Sequence, residues 1–146
     1  MVGLAACGNA VMNPRQREYV CKGLLACAGL INLLPLAGIA GAGALQRLYG
    51  IVIIDPNLLL MLQHRALLLG MVGAALLVAV WRVQWRVAAS VVAMLSMVSY
   101  VAIAITVGNY NAELRRVLMA DGIAIVCVTI AFFCVRNPGT RWKGWS

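Results

Sequence analysis

The sequence predicts an all-α integral membrane protein, a four-helix bundle with both termini in the cytoplasm, and three observations carry that prediction. Of its 146 residues 64% are hydrophobic and only 11% are charged, where a soluble domain carries about a quarter charged residues. The apolar residues gather into four long, nearly uncharged runs, and a membrane helix needs about 20 such residues. The basic residues sit between these runs in short groups, heavier on one side than the other. A soluble globular enzyme is thereby excluded.

Residues 1–18 read as a lead-in to the membrane domain. Leu4-Ala5-Ala6-Cys7 has the form of a lipoprotein cleavage box, but no basic region and no apolar run precede it. Met12 is an alternative start, followed by the hydrophilic Asn13-Pro14-Arg15-Gln16-Arg17-Glu18. The four-helix domain then covers residues 19–136. Its first span is expected over about 19–44, with Lys22 near its start, Asn32 in its middle and Pro35 a turn later. Pro35 should kink this span by freeing the Ile31 carbonyl, which Asn32 stands close enough to satisfy. The small-residue stretch from Gly38 to Ala44 allows close approach of a neighbour, or fraying into loop.

Asp55-Pro56-Asn57 places an acidic N-cap before a proline at the first helical position, a strong start signal for the second span, 58–81. Its row Ala66, Gly70 and Ala74 puts small residues on one face, the pattern by which membrane helices pack backbone to backbone. Arg82-Val83-Gln84-Trp85-Arg86 is a basic turn flanked by Trp81 and Trp85, whose amphipathic rings suit the interface. The third span is 87–107. Its Ser90, Ser96, Ser99, Tyr100 and Thr106 are expected to bond chiefly within their own helix. The fourth span, 117–135, carries Asp121 and stops at Arg136, and residues 137–146 form a basic, Trp-containing tail lying against the headgroups.

With four spans, one side holds Arg15, Arg17, Lys22, Arg82, Arg86, Arg136, Arg141 and Lys143. The other holds only Arg47, Arg65, Arg115 and Arg116, together with the acids Asp55, Glu113 and Asp121. The positive-inside rule therefore places both termini in the cytoplasm.

The net charge of +8 would suggest a polyanion as partner of a soluble protein. Here the charges form no aromatic-interleaved patch, so no nucleic acid is expected and the partners are membrane lipids, with a homo-oligomer or larger membrane complex permitted by the small-residue faces. Cys7, Cys21, Cys27, Cys127 and Cys134 include no Cys-x-x-Cys and no His at ligand spacing. They call for no metal, cofactor or disulfide framework and read as small packing residues.

Chemistry is confined to the outer half. His64 and Arg65 on the second span and Asp121 on the fourth begin from the same side and reach similar depth. A charge at such depth normally faces the bundle interior with a partner, so Arg65 and Asp121 are expected to pair. His64, one position earlier, points about 100° away. Tyr49, Asn109, Tyr110, Asn111 and Glu113 come from loops on the same side and could cap the pair. The functional reading is a small ligand or proton site; the structural one is that Arg65 and Asp121 only join two spans while His64 snorkels or donates to a carbonyl. A catalytic constellation is not evident, since the chain holds one His and no paired carboxylates.

The elements Gly29-Leu30-Ile31-Asn32-Leu33-Leu34-Pro35, Leu48-Tyr49-Gly50, Asp55-Pro56-Asn57, Leu62-Gln63-His64-Arg65-Ala66 and Gly108-Asn109-Tyr110-Asn111 with Asp121 resemble a family of small bacterial four-helix inner-membrane proteins with no settled activity. The likeness covers roughly residues 24–126, and in general shape the chain is also similar to DoxX-like membrane proteins. The resemblance implies a four-helix bundle in a bacterial inner membrane. Members are sometimes labelled phosphopantetheine adenylyltransferase, an activity that needs a nucleotide-binding fold with a His-x-Gly-His element, which this chain lacks. The leading functional expectation is a non-enzymatic accessory subunit, or a lipid or small-molecule binding module. An oligomeric minimal transporter or proton-coupled carrier is the alternative, and a membrane enzyme acting on quinone or lipid through His64 the third.

Overall fold

The structure is a computed structural model that describes residues 13–136, with side chains through residue 134. The alternative start at Met12, Cys7 and the tail 137–146 lie outside the described residues. Within them the chain is almost wholly helical and contains no strand, and four segments are long and apolar enough to cross a membrane. This is an all-α membrane bundle.

Helix α1 spans Pro14–Leu33. It begins earlier than hydropathy suggests because Asn13-Pro14-Arg15-Gln16 is a complete capping box. The Asn13 side chain accepts from the Arg15 amide at 3.3 Å, and the Gln16 side chain accepts from the Asn13 amide at 3.2 Å. The lead-in thus contributes a helical turn that carries Glu18.

The expected kink at Pro35 takes a different form. The α-helix ends at Leu33 and the chain continues as a 3-10 helix over Leu34–Ala40. The Ile31 carbonyl that proline would orphan is taken by the Leu34 amide. Asn32 does not serve it, donating instead to the Ala28 carbonyl at 3.0 Å and to Met97 Sδ at 3.7 Å across the bundle. The span therefore stops at Ala40 rather than about Ala44. Gly41, at φ 115°, turns the chain into a short separate helix, α2, Ala42–Tyr49. Gly50 closes α2 in the left-handed conformation at φ 66°, where a side chain would be strained and would also meet the Glu113 carboxylate.

Helix α3 is Pro56–Trp81, with the Asp55 cap in place: its carboxylate accepts from the Asn57 amide at 2.9 Å. A short 3-10 turn, Val83–Trp85, leads to α4, Arg86–Val107, and a loop leads to α5, Ala112–Arg136. Asn111 caps α5 by accepting from the Leu114 amide at 2.9 Å.

The four long helices pack up and down in a ring: α1 against α3 and α5, and α4 against both of these as well. The core runs along the axis, with Leu25, Leu76, Met97 and Val128 fully enclosed. Aliphatic and aromatic side chains cover much of the outside, among them Leu60, Leu95, Ile105 and Phe133, as a lipid-facing surface requires. Trp81 and Trp85 are exposed at one end.

Two packing features were not visible as sequence patterns. The small-residue face of α3 is Ala66, Gly70 and Gly73, all buried, whereas Ala74 is exposed. At its centre Gly73 and Gly29 bring α1 and α3 into backbone contact, so a Cβ on Gly73 would stand 2.7 Å from the Gly29 carbonyl oxygen. At the end nearest Trp81, Arg86 is 3% exposed rather than a headgroup-facing charge. Its guanidinium donates to both Glu18 carboxylate oxygens, at 2.9 and 2.7 Å, and to the α3 carbonyls of Ala79 and Val80, at 3.1 and 3.0 Å. Lys22 adds a contact to Glu18 at 3.3 Å. One side chain thus joins α1 to α4 and closes the open C-terminal carbonyls of α3.

Candidate functional site

The other half of the bundle contains the intramembrane charges. Arg65 lies nine residues into α3 and Asp121 nine residues into α5, and both helices start from the α2 end. At 1.5 Å per residue both stand roughly 13 Å inside. Tyr100, seven residues before the end of α4, reaches a similar level.

These three side chains line one cavity of about 380 Å³ between α3, α4 and α5. Ser96 and Ser99 add hydroxyls, although Ser99 already donates to the Ser96 carbonyl at 2.8 Å. The remaining walls are Leu68, Leu69, Val72, Met97 and Ile103. Leu68 and Ile103 are exposed on the outer surface, so the cavity opens sideways between α3 and α4, toward the bilayer. Met97 also belongs to the axial core. From Met97 the buried core continues through Leu76, Ala93 and Val128.

Arg65 and Asp121 face the same space and act on each other electrostatically. No ion pair within 4.0 Å joins them among the described residues. The Arg65 guanidinium instead lies over the Tyr100 ring, 4.5 Å from its centroid, a cation–π contact. An insertion penalty of about 2.5–3.5 kcal/mol for such a charge is only partly relieved by an aromatic face. The arrangement therefore leaves guanidinium donors and carboxylate acceptors open to the cavity.

The residues expected to cap this pair divide. Tyr49 is buried, at 3% exposure, within electrostatic reach of Arg65, Tyr100 and Asp121. Burial pushes its phenol above the ordinary value while Arg65 opposes the shift, so it stays neutral at physiological pH. Asn111 donates to the Tyr49 carbonyl at 2.7 Å, and Glu113 packs beside Gly50, so these groups fasten α2 over the site. Tyr110 lines a smaller side cavity of about 160 Å³ together with Arg65 and Tyr100. Asn109 is exposed in the loop. His64 is also exposed, on the outer surface of α3, and lines neither cavity. Asn32 stands behind Met97, with its side-chain oxygen buried and without a partner among the described residues.

Sequence reasoning missed Tyr100 as a site residue. The signal was present, because the depth comparison that matched Arg65 with Asp121 places Tyr100 at their level once α4 is counted back from Val107. No group of three or more His, Cys, Asp or Glu side chains capable of holding a metal occurs among the described residues. Cys21, Cys27, Cys127 and Cys134 are free thiols on α1 and α5. No family model, curated protein or solved structure matches this chain.

Proposed function

We propose that this is a non-enzymatic, multi-pass protein of a bacterial inner membrane, with both termini cytoplasmic, that binds a lipid or another small amphiphile from the bilayer. In the cell it serves as a binding module or accessory subunit of a larger membrane assembly. The observation that carries this reading is the cavity itself: unpaired Arg65 and Asp121 at one end, apolar walls elsewhere, and a mouth facing lipid. An amphiphile has that same division, with a polar head and an apolar body. The packed core that continues from Met97 supports binding rather than carriage, and the place of His64 on the outer surface, away from the cavity, favours binding over turnover through that residue. The family resemblance of the Leu-Tyr-Gly and His-Arg-Ala elements supports the bacterial inner-membrane setting.

Native mass spectrometry of the protein released from its own membrane tests this. The expected result is one retained amphiphile per chain, whose occupancy falls by about tenfold in Arg65→Gln and is unchanged in His64→Gln. A chain that carries no retained mass, or one whose retained mass ignores Arg65→Gln, contradicts the proposal.

A further inference from the structure

We infer that the ligand's head is zwitterionic, a phosphate joined to a primary ammonium, as in a phospholipid with an ethanolamine head. The inference rests on the binding reading above and adds the chemical class of its ligand. Its basis is that the cavity presents two opposite charges that are not spent on each other.

Arg65 makes a cation–π contact with Tyr100 but no hydrogen bond or ion pair among the described residues. Asp121 likewise makes no hydrogen bond there. Neither has its polar atoms sealed in the protein interior, since the one buried unpartnered side-chain atom among the described residues is Asn32 Oδ1. Both therefore present their free hydrogen-bonding capacity to the cavity they line.

Four kinds of head can be compared on this geometry. An anionic head would satisfy Arg65 but be repelled by Asp121, and a cationic head would do the reverse. A neutral head would leave the guanidinium and the carboxylate with only their attraction across the cavity and no hydrogen-bonded counter-ion, at a depth where water is scarce. A zwitterion whose charges are separated by a few bonds meets both: its phosphate takes the guanidinium donors, and its ammonium donates to the carboxylate. The ammonium must carry N–H groups to do so, which a quaternary choline head cannot supply. The apolar walls at Leu68, Leu69 and Ile103, open to the bilayer, fit acyl chains and so favour a lipid over a soluble zwitterion.

The test is native mass spectrometry of the protein from nanodiscs containing equal parts of phosphatidylethanolamine, phosphatidylcholine and phosphatidylglycerol. Wild type should retain the ethanolamine lipid about tenfold over either of the others, the ratio that one charge-assisted hydrogen bond supplies. Asp121→Asn should bring the ethanolamine and glycerol lipids to parity, and Arg65→Gln should weaken all three. Equal retention of the glycerol lipid by wild type overturns the inference whatever the variants do, as does an unchanged ratio in folded Asp121→Asn. Retention of none of the lipids by wild type would defeat the binding reading itself, a separate result. Free phosphoethanolamine should not displace the bound lipid; displacement would overturn the lipid assignment in favour of a soluble zwitterion.

Discussion

Gly73→Ala is expected to destabilise the bundle by about 1–3 kcal/mol, the range for overpacking a filled site. On an exposed helix the same change normally stabilises by about 0.5–1 kcal/mol, because alanine restricts the unfolded chain and favours the helix. The sign is reversed here by contact: the new methyl would stand 2.7 Å from the Gly29 carbonyl oxygen and 3.0 Å from the Leu33 amide nitrogen. Both obstacles are helix backbone, so neither can swing aside, and relief requires α1 to move off α3. Gly23→Ala is the internal control, since nothing lies within 4 Å of its Cβ position on α1. Thermal unfolding in detergent should show a lower midpoint for Gly73→Ala and an equal or higher one for Gly23→Ala. Equal midpoints in the two variants would mean that α1 and α3 do not cross at these glycines.

Arg86→Leu is expected to lower stability by about 2–4 kcal/mol, and Glu18→Gln by less, about 1–2 kcal/mol. The asymmetry follows from exposure and from the number of partners. The Arg86 side chain is 4% exposed, and its removal orphans the Ala79 and Val80 carbonyls and takes from Glu18 its bidentate partner. Glu18 is 43% exposed and keeps Lys22 and water when the pair is broken, while Arg86 keeps its two carbonyls. A double-mutant cycle in detergent should give a coupling energy of at least about 1 kcal/mol between Glu18 and Arg86. Strict additivity would contradict the bidentate pair.

These two effects also mark where sequence reading succeeds and where it ends. Span number, the Asp55-Pro56-Asn57 cap and the joint depth of Arg65 and Asp121 follow from hydropathy, capping chemistry and helix rise, all local rules. Arg86 was read as a topology charge because it stands in a basic turn, and only the fold shows Glu18 folded back over it. A signal existed: Glu18 is the single acid on the strongly basic side of the chain, and a lone acid in that setting invites a partner. The choice of Gly73 over Ala74 as the contact residue depends on helix rotation about its axis, which small-residue spacing leaves open. The same applies to His64 and Arg65, adjacent in sequence yet pointing to lipid and to the cavity respectively. Pro35 predicted a disturbance but not its form, because a 3-10 continuation and a kinked α-helix differ only in how the Ile31 carbonyl is satisfied.

The central claim is that the cavity between α3, α4 and α5 receives a lipid-like molecule from the bilayer. The most direct measurement is photocrosslinking in nanodiscs, using a phospholipid with a diazirine placed on the acyl chain close to the glycerol, followed by mass-spectrometric mapping of the adducts. The account predicts adducts concentrated at residues 65–72 of α3 and 96–103 of α4, and their loss in Arg65→Gln. Adducts spread evenly over the exposed apolar faces, or concentrated in the groove formed by Val91, Leu95 and Phe132, would contradict it.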